Sequence, residues 1–292
     1  MPTQPNIARI LKSAGYKVAW KGKWHLSLPV NGATYWTPDD IIYMRDAYGF
    51  EAWNPNDAGN SVAAYTTLGG GDRYNNDARF VESLRFSGDR DSPPAKSAVA
   101  FLREYDPSDG PFCLIVSVVN PHDIWVAPGF SSGSGYKEGM GSEFNLPVPE
   151  NVDEDLSTKP AAQRLFRSMY NAATIKAFGP SKSLKLPVNQ RNCVNFYAYL
   201  QTLADQHMMH VLHELDARRL TESTLIVRFA DHGEMGMAHG LREKMYNAYE
   251  ETIHVPLIIS NPVLFPQPEG DGCVGELDRY SPDARPDSRR VR

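Results

Sequence analysis

The sequence predicts an α/β fold, a mostly parallel central sheet flanked by helices. Two observations carry this. Phe112–Val119 (FCLIVSVV), Thr224–Ala230 and Val255–Ser260 are short apolar runs rich in β-branched residues, and the first is continuous enough to read as a strand covered on both faces. Segments with helical spacing lie before and between them, and that alternation belongs to helices layered on a sheet. The chain has 292 residues, 41% hydrophobic and 22% charged, so it can bury a substantial core and is neither a coiled coil nor a disordered polymer.

The elements follow in order. In Pro5–Ala14, Ile7, Ile10 and Leu11 fall at helical spacing and Gly15 is placed to end the helix. The chain begins inside this pattern, as though a segment preceded it. Lys17–Trp20 reads as a short strand leading into Lys21-Gly22-Lys23-Trp24-His25-Leu26. Residues 29–95 read as long loops with short helices, including a turn at Gly69-Gly70-Gly71. Lys96–Tyr105 is amphipathic and helical, and Asp106–Pro111 is a turn before the first apolar strand. After loops over 127–160, helices are expected at 161–178 and 192–219, with a break over 179–187. Residues 263–292 are rich in Pro, Gly, Asp and Arg and are expected to be a disordered tail, leaving 1–262 as the folded unit.

Net charge is −5 and the isoelectric point about 5.9, which argues against nucleic acid as a partner. No apolar run approaches the ~20 residues of a membrane helix, so no membrane association is expected. The first 18 residues lack the apolar core of a signal peptide. If the chain is complete as given it would be cytoplasmic; otherwise the compartment is open. Cys113, Cys193 and Cys273 define neither a disulfide framework nor a CxxC metal site.

Three expected strands end in polar clusters: Lys21–His25, Asn120–Asp123 and Asp231–Glu234. Ligands bind at the carboxyl ends of strands in open α/β sheets. Loops there could bring Lys23, His25, His122, Asp231 and His232 to one edge. Lysines neutralise an anion, histidines donate hydrogen bonds or a proton, and Asp with His can ligate a divalent cation. Each piece is weak alone, since a Lys-Gly-Lys turn is usually solvated and a single His after a strand usually caps or packs. Joint placement gives them weight. His207, His210 and His213 resemble a metal stripe, but at ~100° per residue they fan around the helix and are read as surface or packed side chains.

Four passages extend the reading. LKSAGYKVAWKGKWHL (11–26) is similar to LKxxGYxTxxxGKWHLG, and SVVNPHDIW (117–125) to a strand ending in PHxP. The helix at 195–220 is similar to YYxxVxxxDxxVGxxLxxL, and 220–262 carries DHGxxxGxHGL, a lysine, YEE and VPLIIxxP in order. Together they resemble the sulfatase family, arylsulfatase- and choline-sulfatase-like, of the alkaline-phosphatase superfamily. The resemblance implies an alkaline-phosphatase-like fold, here incomplete, and metal-assisted hydrolysis of a small-molecule sulfate ester. It implies that Lys23 and His25 bind sulfate and position the nucleophile. His122 would contact sulfate or protonate the leaving oxygen, Lys244 would bridge sulfate and leaving group, and His239 would support the substrate site. Asp231 and His232 would ligate Ca²⁺, or Mg²⁺ or Mn²⁺, hard ions suited to oxygen donors. The organic part of the substrate would be set by residues 29–95 and 125–190.

The departures matter as much. The family makes formylglycine from Cys or Ser in a [CS]-x-[PAS]-x-R motif ahead of the GKWH block. No cysteine here fits; Ser92-Pro93-Pro94-Ala95-Lys96 has Lys for Arg, and Ser281–Arg285 has its Pro one place early. The formylglycine nucleophile and the paired aspartates of the first strand are therefore expected to be absent. A chain without that strand is expected to expose apolar faces and to be inactive alone. The alternatives are a phosphate or phosphonate ester hydrolase of the same superfamily, and a non-catalytic anion-binding pseudoenzyme or scaffold.

Overall fold

The structure is a computed structural model that describes residues 5–27, 30, 37–53, 76–82, 96–129, 135–244 and 247–267. The expected turn at Gly69-Gly70-Gly71, Cys273 and the tail beyond residue 267 lie outside these residues.

Helix α1 (Ile7–Ser13) opens with the Asn6 side chain accepting from the Arg9 amide and gives way to Gly15 at φ 87°. Strand β1 (Lys17–Gly22) follows. Helix α2 (Pro38–Tyr48) starts with a reciprocal Thr37–Asp40 capping box and leads to β2 (Ala52–Trp53). Short helices α3 (Asn76–Val81) and α4 (Ala98–Glu104) precede β3 (Phe112–Ser117). The three strands make a parallel sheet in the order β2-β1-β3, with Lys17 opposite Phe112 and Gly22 opposite Ser117. All six residues of β3 are half-buried, so it is less enclosed than its apolar run suggested.

Helices α5 (Ala161–Phe178) and α6 (Pro187–Ala217) match the two expected, and α6 starts five residues early because Pro187 can occupy the first turn of a helix. Strands β4 (Ile226–Phe229) and β5 (Leu257–Ser260), with the one-turn helix α7 (Glu250–Ile253) between, pair antiparallel as a separate two-stranded sheet. The parallel arrangement expected of the sheet thus holds for β1, β2 and β3, while β4 and β5 run against each other. Among the described residues the two sheets share no ladder, and they meet through side chains. Ile226, like Phe112 and Leu114, packs against a cluster built on Leu102 and Leu215, which joins β4 to β3, α4 and α6. A larger cluster gathers Phe196, Leu200 and Cys193 of α6 against Ile124, Val126 and Met237.

The outer face of β4 and β5 carries Val227, Phe229, Leu257 and Ile259, paired in register and 46–70% exposed. Such a contiguous apolar face drives association. Phe229→Thr combined with Leu257→Thr is expected to reduce concentration-dependent association and hydrophobic-dye binding. The melting temperature should stay nearly unchanged, because these side chains bury little. Size-exclusion light scattering checks this, and a wild-type chain that stays monomeric at high concentration overturns it.

Candidate functional site

The GKWH loop is built by packing at the carboxyl end of β1. Gly22 has φ 98°, and a Cβ there would lie 2.1 Å from the Ser117 carbonyl oxygen, so only glycine lets β1 close on β3. The Lys23 amide then donates to that same oxygen at 2.7 Å. Trp20 Nε1 donates to the Lys23 carbonyl at 3.0 Å. The Trp24 ring packs edge-on against Trp20 and Trp53, with centroids 5.0 and 4.7 Å away. The aromatic cluster thus fixes the backbone from which Lys23 and His25 project.

Lys23 is 11% exposed, and its Nζ lies 3.8 Å from Asp231 Oδ2 at the end of β4. That ion pair joins the ends of the two sheets. His25, in a left-handed conformation at φ 51°, faces solvent on one side. Partial loss of solvation, then the charges of Lys23 and Lys244, hold its imidazole below the ordinary range, against the pull of Asp231. His122 opens a short turn, His122–Val126, and its amide donates to the Val119 carbonyl at 3.0 Å. Its Nδ1 is buried, with no hydrogen-bond partner among the described residues. Burial lowers this imidazole to about 3, helped by Lys23, Lys244, His232 and His25. At neutral pH His122 is therefore a neutral ring surrounded by cationic side chains.

His232 Nδ1 lies 2.8 Å from the Gly233 carbonyl, which can only accept, so Nδ1 carries the proton. Nε2 lies 3.7 Å from Asp231 Oδ2. Gly233 is required here too, since a Cβ would fall 2.0 Å from the Glu251 carbonyl oxygen. Lys244 returns to the site along a loop held by Glu234, whose Oε1 accepts from the Glu243 amide at 2.7 Å. Arg242, buried, donates from Nη1 to the Ile124 carbonyl at 3.1 Å and so ties this loop to the His122 segment.

Six of the seven expected residues therefore act on one another: Lys23, His25, His122, Asp231, His232 and Lys244. His239 stands apart. Its Nδ1 pairs with Glu154, its Nε2 lies 3.5 Å from Glu251, and its ring stacks on Tyr249 at 4.3 Å. It shares no hydrogen bond or ion pair with the other six. The three histidines of α6 are packed or exposed side chains, as expected. His207 is buried, and with His210 it holds Glu82 Oε1 through Nδ1 at 2.6 and 2.9 Å. Glu234 and Asp123, which close two of the polar strand-end clusters, support the site, as do Arg242, inside the long 220–262 motif, and Asp77, to which nothing in the sequence pointed.

A calcium site takes six to eight oxygen donors. Among the described residues no group of three or more His, Cys, Asp or Glu side chains is arranged to hold a metal ion. Asp231 and His232 supply two donors and do not form a cation site by themselves. Two lysines, Lys23 and Lys244, stand in this arrangement with three imidazoles, and each lysine also lies within ion-pair distance of a carboxylate, Asp231 at 3.8 Å and Glu243 at 3.5 Å.

The profile of the sulfatase family matches residues 1–280. The chain is 26% identical over 268 residues to the uncharacterized sulfatase YidJ of Escherichia coli, a match covering 88% of this chain and 47% of that one. It is 26% identical over 259 residues to an ulvan-active sulfatase of Formosa agariphila, covering 88% of this chain and 40% of the other. Among solved structures, a putative sulfatase from Bacteroides thetaiotaomicron superposes with a TM-score of 0.57 at 20% identity, over 88% of this chain and 47% of that one. The chain spans about half the length of the relatives it matches. The family profile runs through all three strand-end clusters and past Lys244, and the folds agree: the chain belongs to the sulfatase family.

Proposed function

We propose that this chain forms the sulfate-binding part of a sulfatase site and takes part in hydrolysis of a small-molecule sulfate ester. The reading is supported by the ion pair that brings Lys23 to Asp231 across the ends of the two sheets, together with the electrostatic influence of Lys23 and Lys244 on the buried ring of His122. Two ammonium groups can hold the non-bridging oxygens of a sulfate by charge-assisted hydrogen bonds. The same cations keep His122 unprotonated while the site is empty. A bound sulfate ester, a monoanion, offsets part of their charge and raises the affinity of the ring for a proton, so His122 can carry one to the leaving oxygen. His25 lines the open side, where the organic group would leave. A divalent cation held in part by Asp231 and His232 would polarise a sulfate oxygen. The sequence holds no [CS]-x-[PAS]-x-R motif, which supports binding without turnover by this chain alone.

Titrating inorganic sulfate into the purified chain, followed by the imidazole resonances, tests the reading. Sulfate is expected to bind in the millimolar range and to shift His122 and His25, while 4-nitrophenyl sulfate is not hydrolysed. No response of either ring would overturn the site, and hydrolysis lost on Lys23→Ala would reveal a nucleophile in this chain. Calcium gives a separate check. With only Asp231 and His232 as donors among the described residues, millimolar calcium is expected to move the melting temperature by less than about 1 °C. Tight stoichiometric binding would contradict that.

A further inference from the structure

A buried carboxylate lies beside this site, and nothing in the reading so far uses it. Asp77, in the first turn of α3, is 0% exposed. Its Oδ1 accepts from the Val119 amide at 2.6 Å and its Oδ2 from the Asn120 amide at 3.0 Å. These two amides fall past the end of β3, where no ladder answers them, and directly before Pro121 and His122. The Val119 carbonyl in turn accepts the His122 amide at 3.0 Å. One carboxylate thus grips the peptide that anchors the first turn of the His122 segment.

Burying a carboxylate is costly unless hydrogen bonds and charge answer it. Burial raises Asp77 to about 7; the two amides and Lys23 pull it down, and Asp123 pushes it up. Asp77 therefore feels both the site lysine and the carboxylate next to His122. The other end of α3 is anchored as well, through Glu82 held by His207 and His210 of α6. On the far side, Asp123 accepts from the Tyr136 hydroxyl, and the Asn120 side-chain amide donates to that hydroxyl at 3.3 Å. A rigid bracket from α6 through α3 ends on the His122 backbone.

We propose that Asp77 is a positioning residue of the anion site. By holding the Val119 and Asn120 amides it fixes the backbone that sets the His122 ring beside Lys23 and Lys244. This rests on the sulfate-binding reading and adds a residue to it. Asp77 touches no substrate; it acts through the loop. Asparagine keeps the shape but has one acceptor and one N–H₂ group, so one of the two amides loses its partner and meets a donor.

The experiment uses the full chain, Asp77→Asn, and Leu215→Ala as a control that loosens the core on α6 away from the His122 segment, where Leu215 is 5% exposed. Amide hydrogen exchange and inorganic sulfate titration are read on all three. Asp77→Asn is expected to speed exchange at Val119 and Asn120 about 10-fold or more over the other β3 amides, and to weaken sulfate about 10-fold. Leu215→Ala should lower the melting temperature and leave sulfate affinity within about twofold. If Asp77→Asn binds sulfate as tightly as wild type, the residue is merely structural and the proposal falls. If the wild type binds no sulfate, the functional reading falls, and the exchange data still decide: unchanged protection at Val119 and Asn120 overturns the grip itself. Should Asp77→Asn fail to fold, Asp77→Ser, smaller and with one acceptor, serves the same comparison.

Discussion

Lys21→Met is expected to stabilise the chain by about 2–3 kcal/mol and to raise its melting temperature by roughly 5–10 °C. Lys21 is 2% exposed, and no hydrogen bond or ion pair of its ammonium exists among the described residues. It lies in β1 on the side of Ala19, which packs against α4 and α6. Burial lowers it from 10.5 to about 8, and Lys96 adds to the shift. At neutral pH the side chain is still charged, so the folded state carries the cost of an unanswered cation. Methionine has similar length and flexibility and no charge, so it fills the same space. The sign follows from proton counting. Between pH 8 and 10.5 the unfolded lysine keeps its proton while the folded one has released it, so stability rises with pH across that window. Below pH 8 the full penalty is present. The wild type should therefore gain stability from pH 8 to pH 10, and Lys21→Met should show a smaller rise. Thermal melts of both chains at pH 7.5 and 10 check this. Equal melting points at pH 7.5 would mean that the ammonium is answered in solution.

The contrast between Lys21 and Lys23 shows what the sequence could reveal. A Lys-Gly-Lys turn reads as solvated, yet both lysines are largely enclosed, one by helices and the other by the site. The alternation of a strand puts Lys21 inside, and Gly22 then turns the chain so that Lys23 faces the opposing sheet. The strand-end loops were legible because their residues sit in contiguous motifs. The directions of β4 and β5 were not, since an apolar run specifies burial but not the sense of pairing. Phe229 and Leu257 illustrate the same limit, apolar in sequence and outward in the fold. Asp77 was illegible for another reason: its partners are 42 and 43 residues away, across loops without periodicity. His239 sits in a motif, but its setting depends on Glu154, which belongs to a separate loop.

Lys23→Ala is expected to weaken sulfate by about 10- to 100-fold while making His122 easier to protonate. The two effects pull in opposite directions, which makes the pair informative. Lys23 is the leading electrostatic influence on both His25 and His122 after loss of solvation. Removing its charge favours the imidazolium form, so the His122 midpoint should move up from about 3. The same sign governs stability. The folded ring lies below its unfolded value of 6.5, so stability is lost as pH falls from 6.5 toward 3, and Lys23→Ala should shrink that loss. A more protonated His122 would by itself improve anion binding. Weaker sulfate binding is expected despite it, because the ammonium that would hold the sulfate oxygens is gone. Asp231, left without its cation 3.8 Å away, adds a repulsive charge to the emptied site and deepens the loss. Imidazole titration by NMR with and without sulfate separates these contributions. A His122 midpoint that does not move would detach the ring from Lys23, and an unchanged sulfate affinity would place the anion elsewhere.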